Sequence, residues 1–180
     1  MTRRILISII MLLAVIPASG AFAAPDDTQT LAPGDTYEFS ASLPAGLNPN
    51  YFPWAEQAEP VFPIGQCSKN PNYYCDTFLF NFTNPMTQEQ IDSGLTFIRR
   101  TATVQVGDYP FPGADFDLRA FDSDPEGTKG MMIGESGNAP GEAELIALSL
   151  RSTPEKGEHW VLVEVAYWAG IGGYSGSVRF

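Results

Sequence analysis

Short runs in which apolar and polar residues alternate recur along the chain from residue 36 onwards, with turn-forming residues between them. An alternation with a period of two places one face of a strand on a core and the other face toward water. Eight such runs predict eight strands, at residues 36–43, 77–83, 95–106, 116–122, 129–135, 144–150, 159–168 and 174–180. The pattern is typical of an all-β protein built as an antiparallel β-sandwich.

Two segments of the chain do not alternate in this way. Residues 44–75 form an irregular insertion that is rich in proline and aromatic residues. A loop of this length inside a compact domain is usually functional or tied down. Residues 84–94 predict a helical turn, because Thr87 can serve as the N-cap and Gln90, three residues later, completes a capping box.

The chain has two cysteines, Cys67 and Cys75, at the end of the insertion. In an exported protein such a pair forms a disulfide. The disulfide would close a loop of about nine residues, and this closure is worth about 2–3 kcal/mol. The alternatives are a redox pair and a zinc site. The spacing differs from that of a CxxC motif, and His159, the one histidine, lies far away in sequence.

The N-terminal segment predicts a signal peptide. Two arginines at positions 3 and 4 precede an apolar run over residues 5–16, and Ala-Phe-Ala at 21–23 fits the small-x-small pattern of a cleavage site. We expect cleavage after this tripeptide. Residues 24–180 then form a single β-sandwich domain, secreted or on the exterior of the cell envelope. The apolar run is shorter than the ~20 residues of a membrane span, and an uncleaved anchor is the alternative.

The net charge of the chain limits the classes of molecule that it can bind. The formal net charge is −11, and removal of the signal peptide makes it more negative, because the segment carries two arginines and no carboxylates. A protein this acidic repels phosphate backbones and anionic membrane surfaces. We therefore expect no nucleic acid partner, and no other run is apolar enough to insert into a membrane.

Motifs in the second half of the chain resemble those of a known family. The opening strand is CDTFLF at 75–80, and a second strand motif is TVQV at 103–106. An Asp-x-Asp-Leu strand, ADFDLRAFD at 114–122, is followed by a polar turn. A Gly-x-aromatic strand with alternating valines is GEHWVLVEV at 157–165, and the closing strand is GYSGSV at 173–178. The set resembles the bacterial pre-peptidase C-terminal domain family.

The resemblance covers about residues 75–180 and implies a small secreted jelly-roll β-sandwich of the kind appended to exported peptidases. The insertion at 44–75 is not part of the family's pattern, and the chain contains no peptidase domain, so the role of a protease appendage does not transfer directly. The P domain of proprotein convertases is a similar jelly roll and is the alternative on fold grounds. A shared fold does not establish function in either case.

The stretch GADFDLRAFDSDPEG at 113–127 holds a candidate metal site of five carboxylates: Asp115, Asp117, Asp122, Asp124 and Glu126. Its second part, DSDPEG, matches the first half of an EF-hand calcium loop, with oxygen ligands at alternate positions and then glycine. The twelfth position is Ile133 instead of glutamate, and no helices flank the loop. The alternative is a hairpin turn, with Arg119 neutralising the aspartates that share its strand face.

Aromatic residues in the predicted loops form a candidate ligand-binding set: Tyr51, Phe52, Trp54, Tyr73, Tyr74, Tyr109 and Phe111. Rigid aromatic side chains on loops are a common means of gripping sugars or proteins. The alternative is that they fold back and cap the edge of the sandwich.

The run at 159–168 is apolar on both sides. Its odd-numbered residues from Val161 to Tyr167 predict a core-facing side, whereas the other side carries Trp160, Leu162 and Trp168. The second side is too apolar for free exposure, so we expect the insertion or a partner to cover it.

No catalytic motif is present. The sequence lacks a GxSxG elbow, an HExxH motif and a phosphate-binding loop, and His159 is expected to be a surface histidine. The sequence therefore predicts a non-catalytic exported module that engages a polysaccharide or an extracellular protein. The alternatives are a calcium-stabilised structural domain without a ligand of its own and a hydrolase that uses paired carboxylates.

Overall fold

A computed structural model describes residues 25–43, 75–109, 113–169 and 172–180. The predicted signal peptide, nearly all of the insertion and Cys67 lie outside these residues, so the cleavage site and the disulfide stay predictions. The described part contains nine strands and one short helix: β1 Asp27–Leu31, β2 Thr36–Leu43, β3 Cys75–Thr83, α1 Gln88–Asp92, β4 Ile98–Gly107, β5 Asp115–Ser123, β6 Lys129–Ser136, β7 Glu144–Ser152, β8 Glu158–Ala169 and β9 Gly172–Arg179.

The strands form two sheets, with the orders β1-β3-β8-β5-β6 and β2-β9-β4-β7. Strands β2 to β9 pair as one rolled-up antiparallel hairpin, because β2 pairs with β9, β3 with β8, β4 with β7 and β5 with β6. Further pairing of β4 with β9 and of β5 with β8 joins these strand pairs into the two sheets. This order is the double Greek key of a jelly roll. The predicted fold class and all eight predicted strands are confirmed.

The core lies between the two sheets and is formed by the alternate, inward-facing residues of the strands. β7 shows the alternation along its whole length, with every second residue buried. Side chains from both sheets make up a single cluster, which includes Phe80, Phe82, Val104, Leu118, Leu148, Val163 and Val178. Because each apolar run buries one face here, the sandwich depends on the period-two pattern of the sequence.

Strand β1 was not predicted from the sequence. Its five residues, DTQTL, include one apolar side chain, Leu31, which reaches the core. The strand lies at the edge of its sheet and pairs in parallel with β3. The predicted helical turn is confirmed as α1, in which Thr87 and Gln90 form the expected capping box.

The outer face of the five-stranded sheet is also packed, and we call its centre the covered face. Leu79, Phe121 and Leu162 form a second apolar cluster there, against the partly buried Met132 and Trp160. Register shifts at Phe121 mark a bulge between β5 and β6. The following turn lies against this face, since a β-carbon added to Gly127 would lie 2.9 Å from Cγ of Pro25 and 3.8 Å from Cδ2 of Leu79. Leu162, Glu164 and Ala166 on the second side of β8 are buried, and of the neighbouring strands Phe121 belongs to the same cluster as Leu162 and Met132 packs against it. The expected cover by the insertion lies outside the described residues and stays a prediction.

In the part of the chain that the structure describes, no helix has the length and apolar character that crossing a membrane requires.

Candidate functional site

The five candidate metal ligands lie at the two ends of β5 and in the turn that follows it. Asp115 and Asp117 are half-buried near the start of the strand, and burial raises the pKa of Asp115. Arg119 donates from its Nη2 to Asp117 Oδ2 at 3.5 Å, which is the neutralisation expected from their shared strand face. Asp122, Asp124 and Glu126 are at the opposite end, so the structure does not bring all five together.

Asp124 organises the turn between β5 and β6. Its Oδ1 accepts hydrogen bonds from the backbone N–H of Thr128 at 2.8 Å and of Glu126 at 3.1 Å. These bonds, above all those from Thr128, lower the pKa of Asp124. Gly127 has a φ of 77°, a left-handed conformation that glycine adopts without strain. Oδ1 of Asp124 is thus engaged by backbone N–H groups of the turn and has a structural role there.

Among the described residues, no group of three or more His, Cys, Asp or Glu side chains is placed to hold a metal ion. Calcium takes six to eight oxygen ligands. Calcium binding by this stretch stays a prediction.

One aromatic residue of the candidate ligand-binding set, Tyr109, lies in the described part of the chain. Its ring stacks on Phe116 with centroids 5.2 Å apart, and its hydroxyl donates to the carbonyl of Val106 at 3.4 Å. Burial raises the pKa of Tyr109 to about 12. This side chain caps the end of the core, as the alternative reading expected. The rest of the set lies outside the described residues: Tyr51, Phe52, Trp54, Tyr73, Tyr74 and Phe111.

His159 is half-buried instead of fully exposed at the surface. Its Nε2 lies 3.2 Å from Oγ of Ser152, which also accepts a hydrogen bond from Asn84 at 3.4 Å. Burial lowers the pKa of His159, and the nearby Lys156 lowers it further. Ser152 is fully buried, so this serine–histidine pair lacks the access to substrate that a nucleophile needs.

A polar cleft of about 670 Å³ opens between β1, β2 and β3. Its carboxylates already have partners within the protein. Asp26 accepts from the backbone N–H of Thr77 at 2.6 Å, and Asp76 accepts from the hydroxyl of Tyr174 at 2.6 Å. Asp27 accepts from the hydroxyl of Tyr37. These bonds tie strands together, so the carboxylates Asp26, Asp27 and Asp76 each have a structural role in the cleft.

The outer face of the four-stranded sheet is different, and we call it the open face. It consists of the outward side chains of β2, β9, β4 and β7. They are Glu38, Ser40, Ser175, Ser177, Arg179, Arg99, Thr101, Thr103, Gln105, Leu145, Ala147, Ser149 and Arg151, all exposed or partly exposed. Most of them carry a hydroxyl, amide or charged group, and Leu145 is the one large apolar side chain among them.

A shallow depression of about 240 Å³ lies toward one end of the open face. Gln105, Ser177 and Arg179 line it together with two carboxylates, Glu38 and Asp108. Asp108 has a φ of 51°, which is uncommon for a residue other than glycine. The depression combines hydrogen-bond donors and acceptors on three neighbouring strands and the loop after β4.

Within the described residues, the arginines of the open face form no ion pair with a carboxylate. The ion pairs within the described residues are Arg119 with Asp117 and Lys129 with Glu164, both on the five-stranded sheet. Arg99 and Arg151 lie directly opposite each other on β4 and β7. The open face therefore carries solvated cations in a chain whose net charge is −11.

Inspection of the sequence did not identify the open face as a site. A partial signal exists in β4, where Thr101, Thr103 and Gln105 alternate with apolar residues. That alternation predicts an exposed polar side, but the partners of these residues on β7 and β9 are set by the strand register. The register brings Arg99 to Arg151 and Thr103 to Arg179, which lie far apart in the sequence.

A scan against models of protein families finds no match to this chain, and a search of curated proteins finds none. Among solved structures, the chain is similar to the pre-peptidase C-terminal domain of a collagenase from Bacillus anthracis. The identity is 12%, the match covers 86% of this chain and 97% of that domain, and the TM-score is 0.40. This structure belongs to the family whose motifs the sequence resembles.

Two structures from infectious bursal disease virus are also similar. That of the Gx strain has 11% identity, covers 83% of this chain and 32% of the viral chain, and gives a TM-score of 0.33. That of the VP2 subviral particle has 12% identity, covers 81% of this chain and 31% of the viral chain, and gives a TM-score of 0.31.

Proposed function

We propose that the chain is a non-catalytic exported binding module that engages a polysaccharide through the open face. The observation that carries the proposal is the chemistry of this face. It is a flat, exposed array of hydroxyl, amide and guanidinium groups, and several of them, including Gln105 and Arg179, have no hydrogen-bond partner within the described residues.

A polysaccharide suits such a surface because each sugar offers several hydroxyl groups that both donate and accept hydrogen bonds. Serine and threonine hydroxyls and the amide of Gln105 also do both, whereas arginine only donates and carboxylates only accept. The depression contains all of these types. The core of a protein–protein interface is typically enriched in aromatic residues, methionine and arginine, and of these the open face itself carries arginine. On the open face, Leu145 is 53% exposed, and the aromatic ring in contact with its described residues is that of Phe97, 41% exposed, at the Arg99 end, so the centre of the face is polar.

The packing of His159 supports a non-catalytic role. The side chain is engaged with the buried Ser152, and the network continues through the buried Asn84 to the exposed Arg100, whose Nε donates to Asn84 Oδ1 at 2.9 Å. This network joins β4, β7 and β8 at the end of the sandwich. Holding these strands together is a sufficient role for His159, without catalysis.

The test is electrophoresis of the purified protein in native gels that each contain one soluble polysaccharide from a panel of neutral and acidic types. Gln105→Ala should weaken the retardation by about threefold to tenfold in apparent affinity, since it removes one neutral hydrogen-bonding group. Gln88→Ala makes the same change on the exposed surface of α1 and should have no effect. If no polysaccharide retards the protein, or if both variants behave like the wild type, the proposal is wrong.

A further inference from the structure

One end of the open face holds two arginines at neighbouring positions. Arg99 on β4 and Arg151 on β7 are directly opposite in the register, and both side chains are exposed. Side chains at opposed positions have their β-carbons about 4.5–5.5 Å apart, and like charges placed in this way destabilise a sheet. The free protein therefore bears an electrostatic cost at this position that an anion would relieve.

The two guanidinium groups are held beside one aromatic ring. Cζ of Arg151 lies 4.4 Å from the ring centroid of Phe97, and Cζ of Arg99 lies 5.8 Å from it. Nη1 of Arg99 is also 3.4 Å from Oγ of Ser149. Contact with the ring face restrains the guanidinium planes, while their N–H edges stay in solvent. A restrained guanidinium can bind a carboxylate or sulfate group through two parallel hydrogen bonds.

The two ends of the open face differ in the charges that they carry. At one end Arg100 follows Arg99 on β4, and the nearby connection from β7 into β8 carries Lys156 together with Glu155 and Glu158, which are not on the open face. The other end of the open face, around the depression, mixes Arg179 with the carboxylates Glu38 and Asp108. An anionic group is therefore favoured at the Arg99 end and not at the depression.

The two ends lie on one line along β4. Arg99, Thr101, Thr103 and Gln105 all point outward from this strand. At ~3.4 Å per residue, Arg99 and Gln105 are roughly 20 Å apart. An extended polymer lying along the strand would contact the arginine pair and the depression together.

We propose that Arg99 and Arg151 bind the carboxylate or sulfate groups of an acidic polysaccharide, so that the open face selects anionic over neutral chains. The inference rests on the proposed function and specifies its ligand class. The net charge of −11 repels any polyanion at long range, but salt screens that repulsion beyond about 8–10 Å, and at contact the exposed arginine pair attracts an anionic group. The depression supplies hydrogen bonds to the same chain.

The experiment measures the affinity of the protein for three polymers: polygalacturonate, which carries carboxylates, dextran sulfate, which carries sulfate esters, and neutral dextran. We expect at least one anionic polymer to bind more tightly than dextran, with an affinity that falls as salt is added. Arg151→Gln should weaken that binding about tenfold, because a charge-assisted contact is lost. Arg151→Lys keeps the charge without the fork and should fall between the two.

Arg119→Gln is the matched control. It removes one positive charge from the five-stranded sheet, where Arg119 is paired with Asp117. Its affinity for the anionic polymers should equal that of the wild type. The melting temperature of Arg151→Gln should not fall by more than a degree or two in the absence of polymer, because removing a like-charge pair offsets the lost contact with Phe97. Weaker binding then reports recognition and not unfolding.

Each result that overturns the inference is distinct. If neutral dextran binds as tightly as the anionic polymers and Arg151→Gln binds like the wild type, the polysaccharide function stands and the anionic selectivity is wrong. If poly-L-glutamate binds more tightly than either anionic polysaccharide, the partner is an acidic protein and the proposed ligand class is wrong. If none of the polymers binds, both proposals fail.

Discussion

The covered face and the open face are the outer sides of two sheets built from the same kind of alternating strand, yet they differ in what lies on them. On the covered face, Leu162 is 3% exposed and Glu164 is fully buried. On the open face, Leu145 is 53% exposed, and its neighbours on the sheet are hydroxyl, amide and guanidinium groups. The sandwich has a core between its sheets and a second, smaller cluster on one side.

The treatment of charge shows what the difference means. Lys129 on the covered face contacts Glu164 and lies 4.5 Å from the ring centroid of Phe121. A charge removed from water has to be paired, because its desolvation is costly. The arginines of the open face are exposed to water and form no ion pair within the described residues. The covered face thus pairs its charges inside the protein, whereas the open face leaves them in solvent.

The largest loss of unfolding free energy should come from Lys129→Ala on the covered face. The substitution leaves the Glu164 carboxylate buried without its partner, and one of its oxygens, Oε2, already lacks a hydrogen bond within the described residues. Breaking a buried ion pair in this way costs about 3–5 kcal/mol of unfolding free energy. Urea unfolding measures the loss. Lys156→Ala, at an exposed position, should change the unfolding free energy by about 0.5 kcal/mol or less. Equal effects of the two variants would contradict the distinction between the faces.

A pair of identical truncations sharpens the comparison. Leu162→Ala on the covered face should destabilise the protein by about 3 kcal/mol, because it leaves a cavity beside Leu79 and Phe121. Leu145→Ala on the open face should cost about 0.5 kcal/mol or less, since that side chain is mostly in water already. Thermal and urea unfolding of both variants give the difference. A small loss for Leu162→Ala would show that the second cluster is loosely packed.

A smaller effect is expected on the pH dependence of the unfolding free energy, through His159, which lies where the two sheets meet. Its pKa is lowered in the folded protein, chiefly by burial, so the unfolded chain takes up a proton first as the pH falls. The stability contribution is intact above the unfolded pKa of about 6.5 and decreases as the pH drops from there through the folded pKa. His159→Gln keeps a hydrogen-bonding group beside Ser152 but does not titrate, so it should lose this part of the pH dependence. Unfolding free energies at pH 7.5, 6.5 and 5.5 test this, and an unchanged slope in the variant would contradict it.

The smallest effect should come from the ion pair between Arg119 and Asp117, whose side chains are each 22% exposed. Partly solvated pairs of this kind are worth about 0–1 kcal/mol. Arg119→Ala should therefore be close to neutral, in contrast to Lys129→Ala on the same sheet. A double-mutant cycle with Asp117→Asn measures the coupling, and a value near that of a buried pair would mean that water is excluded at the start of β5.

The architecture was predictable from the sequence because strand alternation is a local property. All eight predicted strands form, and the capping box at Thr87 was identified from residue types and spacing alone. The polar edge strand β1 was missed, since DTQTL has one apolar residue and gains its place by pairing with β3. Arg119 was correctly expected to neutralise an aspartate two positions away.

The candidate site was less predictable because it depends on register. The sequence suggested carboxylates and loop aromatics as ligand-binding groups. The structure engages Asp124 in a turn and Tyr109 in a cap, while it assembles Arg99 with Arg151 across two strands.

The rolled hairpin also determines the order in which the protein can be completed during synthesis. Strand β2 is at the edge of its sheet and its partner there is β9, so residues 36–43 cannot pair until residues 172–179 have been synthesised. At a ribosomal rate of about 5–20 residues per second, that interval lasts roughly ten seconds. During this time the early strand presents unpaired backbone groups, which are a template for pairing with other chains. Strand β2 is therefore the part of the sandwich that stays open to mispairing until the last strand has been synthesised.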